Sequence, residues 1–397
     1  MGRTALVVGG GIGGLAAAIG LRRIGWDVTV VERNRVLDDS GAGISLAANG
    51  LRALDALGVG AAVRAAARSQ YTGGTRTPGG AWLARMDGAA LERALGSPVV
   101  GIPRAGLHAL LRAALPPQCL VTGARMTALD RSGPDRVRVG YAHEDGRRAE
   151  AEADVVVGAD GIGSWTRALL FPGHPGPAHS GSTVLRALTR GPVRVESDFE
   201  LTWGPGAEFG HILLADGRAE WHAVLNAPAG VRHPDPLARL RRRFADWHAP
   251  VPDLLAATDP DAVLHHDIGE LAEPLPSFAV GRVALLGDAA HAMTPHLGQG
   301  ACQALEDAVV LAAALADGPD VPEALARYDA ERRPRAQGVA RAARQAGRMG
   351  QQLAHPAAVA LRNTALRLAP SGTALRMILR HAAWTPPRLP EVAAGVE

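Results

Sequence analysis

Two glycine clusters and three well-separated carboxylates hold most of the chemistry legible in this chain. Gly9, Gly11 and Gly14, with Gly13 between them, fit G-x-G-x-x-G directly after the apolar run 4–8 and before a helix-like stretch. The spacing has a mechanical reason: one glycine makes a tight turn, one lets backbone approach a pyrophosphate, and one allows close helix-to-strand packing. Amides at the helix N-terminus and its positive dipole end then hold phosphate oxygens. Glu32 stands at the tip of the next apolar run, 28–31, where a carboxylate accepts hydrogen bonds from a ribose hydroxyl. A lone glycine triplet also makes ordinary turns; the full frame of strand, turn, helix, strand and acid points to dinucleotide binding.

The second cluster lies far downstream. Residues 283–286 read as a buried strand, Gly287-Asp288 as a sharp turn with one carboxylate, and Pro295-His296-Leu297-Gly298-Gln299-Gly300-Ala301 as a glycine-rich loop that opens a long helix. A second helix N-terminus therefore offers free amides to an electron-rich group. The third carboxylate, in Asp160-Gly161, ends the apolar strand 154–159. The three motifs together resemble the class A flavoprotein monooxygenases, the aromatic hydroxylases built like para-hydroxybenzoate and salicylate hydroxylases, over residues 1 to about 345.

That resemblance implies FAD as cofactor, NADH or NADPH as reductant and O2 as oxidant. It assigns Gly9, Gly11, Gly13, Gly14 and Glu32 to the ADP half of FAD, with Arg33 near the adenosine, Arg104 helping to bind the cofactor and Met126 meeting the adenine through backbone. Asp160 would serve both FAD and NAD(P)H, with Ser164 and Arg167 continuing its motif, and Asp288 would hold the ribityl chain. Backbone at Pro295, Leu297, Gly298, Gly300 and Ala301 is expected against the isoalloxazine ring, and Gly43, Ile44 and Ser45 at its other edge. The implied reaction inserts one oxygen atom of O2 into a small aromatic, heteroaromatic or polycyclic substrate through a flavin hydroperoxide, as hydroxylation or epoxidation. A reductase of an unsaturated substrate, or a non-catalytic flavin- or ligand-binding protein, is the alternative, because fold alone does not fix chemistry.

The substrate side departs from the family pattern. Ala47 and Ala48 precede Asn49 where many relatives carry an aromatic residue and a proline; His296 replaces the usual asparagine after Pro295, and Leu213 a frequent proline. Urate-type members have a catalytic arginine on the strand around residue 209; Glu208 stands at that position, which argues against urate. A phenolic or heteroaromatic ring is activated by losing a proton, so a base is expected near the pocket. His296, beside Pro295, is the leading candidate, followed by His211 and His222 on expected substrate-domain strands. Trp203, Trp221 and Arg186 are candidates to line the pocket. His265-His266 lacks further ligands at sensible spacing, so no metal is expected.

The elements that must position these groups follow from patterning. The expected fold class is α/β, an FAD-binding Rossmann-like domain of glutathione reductase type interleaved with an antiparallel-sheet substrate domain, plus C-terminal helices. Residues 1–75, 98–178 and 270–345 are assigned to the FAD-binding domain, 76–97 and 179–269 to the substrate domain, and 346–397 to a C-terminal helical segment. Short alternating runs such as 219–225 argue for a sheet with one wet face. Leu51, Leu54 and Leu57 predict a helix over 49–67, and Pro334 is expected to kink or separate two helices.

Composition narrows the class further. The 397 residues, 47% of them apolar, suffice for one large core. No segment approaches the roughly 20 apolar residues needed to span a bilayer, and the chain opens on a strand rather than a leader, so a cytoplasmic protein is expected. Cys119 and Cys302 are too few and too distant for a disulfide framework. There is no lysine, which excludes Schiff-base and Walker-type mechanisms and, together with the absence of a Trp-x-Trp-x-Ile-Pro stretch, a flavin-dependent halogenase. The net charge is only +3 and the arginine runs are short, so no nucleic-acid partner is expected, and the chain is expected to be a monomer or homodimer.

Overall fold

The computed structural model describes residues 2–37, 42–370 and 372–390. Residues 391–397 of the expected C-terminal segment lie outside it. Thr4–Val8 and Val155–Gly158 are runs of small and branched apolar residues buried on both faces, the mark of central strands in a parallel sheet. They sit in a six-stranded sheet ordered Ala279–Val280, Val283–Leu285, Val155–Gly158, Thr4–Val8, Asp27–Glu32 and Leu120–Thr122, parallel except at the first, antiparallel edge. The helices Ile12–Arg23 and Gly300–Ala316, both almost wholly buried, pack on each other and bring the two glycine clusters to the same end of the sheet.

A seven-stranded sheet forms the second layer, in the order Leu264–Leu271, Pro177–Leu188, Ala219–Asn226, Ala207–Leu213, Phe199–Gly204, Thr72–Arg76 and Trp82–Asp87. Pairing is antiparallel except between Phe199–Gly204 and Thr72–Arg76. One face carries Leu185, Ala187, Phe209, Trp221 and Ala223 against Leu237, Leu240 and Leu254 of the covering helices Pro236–Arg243 and Val251–Ala256 and Phe244 and Trp247 of the turn between them. With a side-chain period of two, the intervening residues Arg186, Trp203, Glu208, Gly210, Ile212, Glu220 and His222 share the other face. The architecture is thus the α/β fold with an antiparallel sheet and C-terminal helices that the motifs implied.

Two local expectations are corrected. The helix over 49–67 is two helices, Ala48–Ala56 and Gly60–Ala66, because Gly58 takes a left-handed φ of 82° that ends the first. Pro334 does not separate two helices, since one helix runs from Val321 to Met349. Its ring lies on the exposed side, where water can satisfy the carbonyl left without a partner, while Arg332 and Ala336 on the buried side fasten the helix to the core. No helix among the described residues is long and apolar enough to cross a membrane.

Candidate active site

The first glycine turn is held by its own backbone and by the acid it was paired with. Gly9 N donates to Val31 O at 2.9 Å, Gly10 N to Glu32 Oε2 at 2.7 Å and Asn34 N to Glu32 Oε1 at 2.8 Å. The carboxylate is thereby fixed at the mouth of the turn, with lone pairs left for a hydroxyl donor. A Cβ on Gly11 would meet nothing within 4 Å, so space stands open before the helix N-terminus. Exposed Arg33 lies beyond Glu32; buried Met126 sits on Ala124–Asp130, and half-buried Arg104 opens the helix Arg104–Ala113. Asp160 abuts the turn, since a Cβ on Gly9 would come within 3.2 Å of its Cα. Its carboxylate is used internally, accepting from Ser164 Oγ at 2.5 Å and from Thr166 N and Oγ1 at 2.9 and 3.0 Å, which shapes the loop and starts the helix Trp165–Leu170.

The second cluster is supported from beneath by a buried charge network that sequence reasoning missed. Asp307 Oδ2 accepts from Gly287 N at 2.9 Å and from His291 Nε2 at 2.6 Å, fixing the turn that presents exposed Asp288. Asp307 Oδ1 meets Arg332 Nε at 2.7 Å, and Arg332 also pairs with Glu306 and with Gln303. Asn49 Nδ2 donates to Glu306 Oε1 at 2.7 Å and Gln299 Oε1 at 2.9 Å, tying the loop after Ser45 to the glycine loop. Burial alone would raise the Asp307 carboxyl, but His291 and Arg332 outweigh it and bring it to about 2. Above this network, Gly298 takes φ 60° and Gly300 starts the helix, and a Cβ on either would meet nothing within 4 Å. Ala301 follows in the helix's first turn, with Pro295 exposed and Leu297 half-buried on the short turn before it. The readable signal was Gln303, Glu306 and Asp307, three polar groups at helical spacing in an otherwise apolar helix.

The open face of the seven-stranded sheet closes on the loop 43–45. A Cβ on Gly43 would lie 2.9 Å from Glu220 Cβ and 3.1 Å from Ile212 Cδ1, so only glycine permits this approach; half-buried Ile44 and Ser45 follow it. Arg186 Nη2 donates to Gly43 O at 2.6 Å and meets Glu220 Oε1 at 3.2 Å. His222 lies between two buried carboxylates, its Nδ1 3.5 Å from Glu220 and its Nε2 3.7 Å from Glu208, and Trp203 Nε1 donates to Glu208 Oε2 at 2.6 Å. His296 packs against the helix Val321–Met349 at Gly347, and both its ring nitrogens are buried without a partner.

Three expectations change here. His211 points to the opposite face, 2% exposed, with Nε2 3.1 Å from Ser197 O, and burial holds its pKa down at about 4; it faces the covering helices and takes no part in this cluster. Trp221 is likewise core, stacked on Phe209 with its Nε1 donating to Thr258 Oγ1 at 2.7 Å. His222 does lie on the face that closes on the loop 43–45, but burial, which would lower it, is outweighed by Glu208 and Glu220, which raise it to about 9. It is a cation paired with two carboxylates at neutral pH rather than a base.

A pH dependence follows. The raised His222 pKa contributes stability that is complete below its unfolded value of about 6.5 and lost as pH rises through about 9. Glu208 and Glu220 are both lowered, since His222 outweighs the burial that would raise them, so their contribution disappears as pH falls below the ordinary carboxylate range. Thermal melts between pH 6.5 and 9.5 should show a falling midpoint in the native protein and a flatter profile in His222→Gln. Parallel profiles would disprove the linkage.

The family profile described as FAD binding domain matches residues 3–343. The chain belongs to that family, within the class A flavoprotein monooxygenases. It is 40% identical to the aurachin C monooxygenase/isomerase of Stigmatella aurantiaca, over 88% of this chain and 90% of that protein. It is 39% identical to a 3-amino-4-hydroxybenzoate 2-monooxygenase of Streptomyces platensis, over 86% and 87%. Among solved structures, Klebsiella pneumoniae HpxO complexed with FAD and uric acid superposes with a TM-score of 0.88 at 28% identity, covering 96% of each chain.

This monooxygenase is an oxidoreductase that uses FAD, NAD(P)H and O2 to insert oxygen into an aromatic substrate, and its relatives do not favour a reductase or a non-catalytic binding protein. The residues present fit the flavin. Open space at Gly11, Gly298 and Gly300 lies before two helix N-termini at one end of the parallel sheet, and the side-chain oxygen of Thr294 and both nitrogens of His296 are buried there without partners.

Proposed function

We propose that the enzyme hydroxylates or epoxidises a small aromatic, heteroaromatic or polycyclic molecule held between the sheet face bearing Glu208 and His222 and the glycine loop 298–300. The juxtaposition of that face with the loop 43–45 carries the reading, because it sets a polar, enclosed wall beside the flavin cradle. In this reading Gly9, Gly11, Gly13, Gly14, Glu32, Arg33, Arg104 and Met126 hold the ADP portion, Asp160 keeps its loop in shape, and Asp288 holds the ribityl chain. Gly43, Ile44 and Ser45 border one edge of the ring, and Pro295, Leu297, Gly298, Gly300 and Ala301 the other. When bound, FAD supplies the oxygen activation. Amides at the N-terminus of Gly300–Ala316 stabilise negative charge on the ring, and His296 is the group placed to accept a substrate proton.

Urate is not the substrate in this reading, since Glu208 replaces the arginine of urate-type members. NAD(P)H binds transiently, there being one dinucleotide turn. Two buried, unpaired cysteines support a reducing, cytoplasmic setting, and the assembly is proposed to be a monomer or homodimer. The test is NADH and NADPH consumption with a panel of phenols, hydroxylated nitrogen heterocycles, indoles and polycyclic quinols. Stimulated oxidation with a product one oxygen heavier is expected; yellow protein without stimulated turnover in air would refute the reading. Asp288→Ala is expected to weaken FAD binding by at least roughly tenfold, the order of one lost hydrogen bond to a charged group. Purified variant that keeps full yellow colour on dilution would remove Asp288 from the cofactor site.

A further inference from the structure

We propose that Glu208 and His296 form a recognition pair that selects an uncharged aromatic ring bearing an O–H or N–H donor, with His222 as the residue that positions Glu208. The proposal rests on the reading above that this face bounds the substrate pocket. Glu208 is 5% exposed and its two oxygens are used unequally. Oε2 accepts from Trp203 Nε1 at 2.6 Å, whereas Oε1 is 3.7 Å from His222 Nε2, beyond hydrogen-bond distance. Oε1 therefore keeps acceptor capacity on the face that closes on the loop 43–45.

His296 is the complementary group. Its ring is seated against Gly347, three residues before the Gly350 that packs on Trp203, the donor to Glu208, and its Nδ1 and Nε2 are both buried without partners. In this proposal an acceptor carboxylate and an imidazole able to give or take one hydrogen bond border one space, and a ring hydroxyl or ring N–H satisfies both.

Charge decides the class of ring. Four ionisable groups of the sheet face each other beside His296: Glu208 from Ala207–Leu213, Glu220 and His222 from Ala219–Asn226, and Arg186 from Pro177–Leu188. With His222 protonated, two negative charges meet two positive ones, and every positive group already has a carboxylate partner. Arg186 and His222 are thus already engaged by carboxylates, and Glu208 itself repels a substrate carboxylate. His222 faces a carboxylate with each ring nitrogen, so its task is to keep Glu208 ionised and in place. Trp203 does the same from the other side, wedged by Gly350 and covered by Arg362 5.2 Å from its ring.

The test measures binding to the purified holoenzyme through perturbation of the flavin absorbance, without NAD(P)H. The probes are 2-naphthol, 4-hydroxyquinoline and indole, each against its O- or N-methyl derivative, together with 2-naphthoate. The native enzyme is expected to bind at least one donor-bearing probe about tenfold more tightly than its methylated partner, the order of a charge-assisted hydrogen bond, and to bind 2-naphthoate more weakly still. Glu208→Gln should cut that preference to about twofold. In His222→Gln, Glu208 loses its charged neighbour, so binding should fall as pH is lowered from 8.5 to 6, while the native enzyme stays flat. Equal binding of the methylated probes, tighter binding of 2-naphthoate, or no perturbation by any donor-bearing probe overturns the pair; a flat profile in His222→Gln overturns the positioning role. Donor-selective binding without oxygenated product would refute the monooxygenase reading and leave the recognition pair standing.

Discussion

Arg332→Met is expected to lower the unfolding free energy by about 3–5 kcal/mol, the usual cost of removing one member of a buried ion network. Arg332 is 0% exposed and reaches Asp307, Glu306 and Gln303 from a helix about 25 residues later in the chain. Methionine keeps much of the apolar volume, so the loss isolates the charge. Glu306 retains Arg335 and Asn49, but Asp307 retains only His291 and the Gly287 amide among the partners seen here, and its depressed pKa must rise. The deficit should therefore be largest near neutral pH and shrink as acid protonates Asp307. Since domains are stable by only about 5–15 kcal/mol, denaturant titration at pH 7.5 and pH 5 resolves it. Because the same aspartate fixes the turn that presents Asp288, the variant should also release FAD more readily. An unchanged midpoint at both values would show that the network does not support the turn.

What was legible in the chain, and what was not, divides along physical lines. The glycine clusters announce themselves because a tight turn or a close backbone approach leaves one residue type able to comply, as at Gly9 and Gly43. The parallel strands announce themselves because burial on both faces leaves only apolar residues. Alternation in 219–225 revealed a two-faced sheet, yet assigning the faces required knowing which side the covering helices take. The aromatic residues held that information: Phe209 and Trp221 mark the core face, which puts His211 with them and leaves Glu208 and His222 on the other. Parity, not residue type, separated the histidine that faces the pocket from the one that does not. Pro334 did not end its helix because the rule describes the local backbone, whereas buried neighbours on the opposite side of the helix decide whether one lost hydrogen bond divides it. Spacing could show the polar groups Gln303, Glu306 and Asp307 but not their partner, since Arg332 is joined to them only by tertiary packing.

Gly14→Ala is expected to give protein that is both less stable and colourless, and comparison with Gly11→Ala separates the two effects. A Cβ on Gly14 would lie 1.9 Å from Gly9 O and 3.0 Å from Gly9 C, and both are backbone atoms. Gly9 cannot retreat, because its own amide is bonded to Val31 O and its α-carbon is pressed against Ala159, whose carbonyl oxygen would stand 2.4 Å from any Cβ there. The turn must open, costing about 1–3 kcal/mol or more by the scale of overpacked cores, and carrying with it the Gly10 amide that fixes Glu32. Gly11 differs in kind: its Cβ would meet nothing in the protein, so Gly11→Ala should leave the unfolding midpoint of the apoprotein unchanged while blocking the backbone approach of a pyrophosphate. The absorbance ratio at 450 and 280 nm, compared with the apoprotein melt, distinguishes these cases. FAD bound by Gly11→Ala with native affinity would mean that the open space before this helix is not where the pyrophosphate lies, and the assignment of the first glycine turn would fall with it.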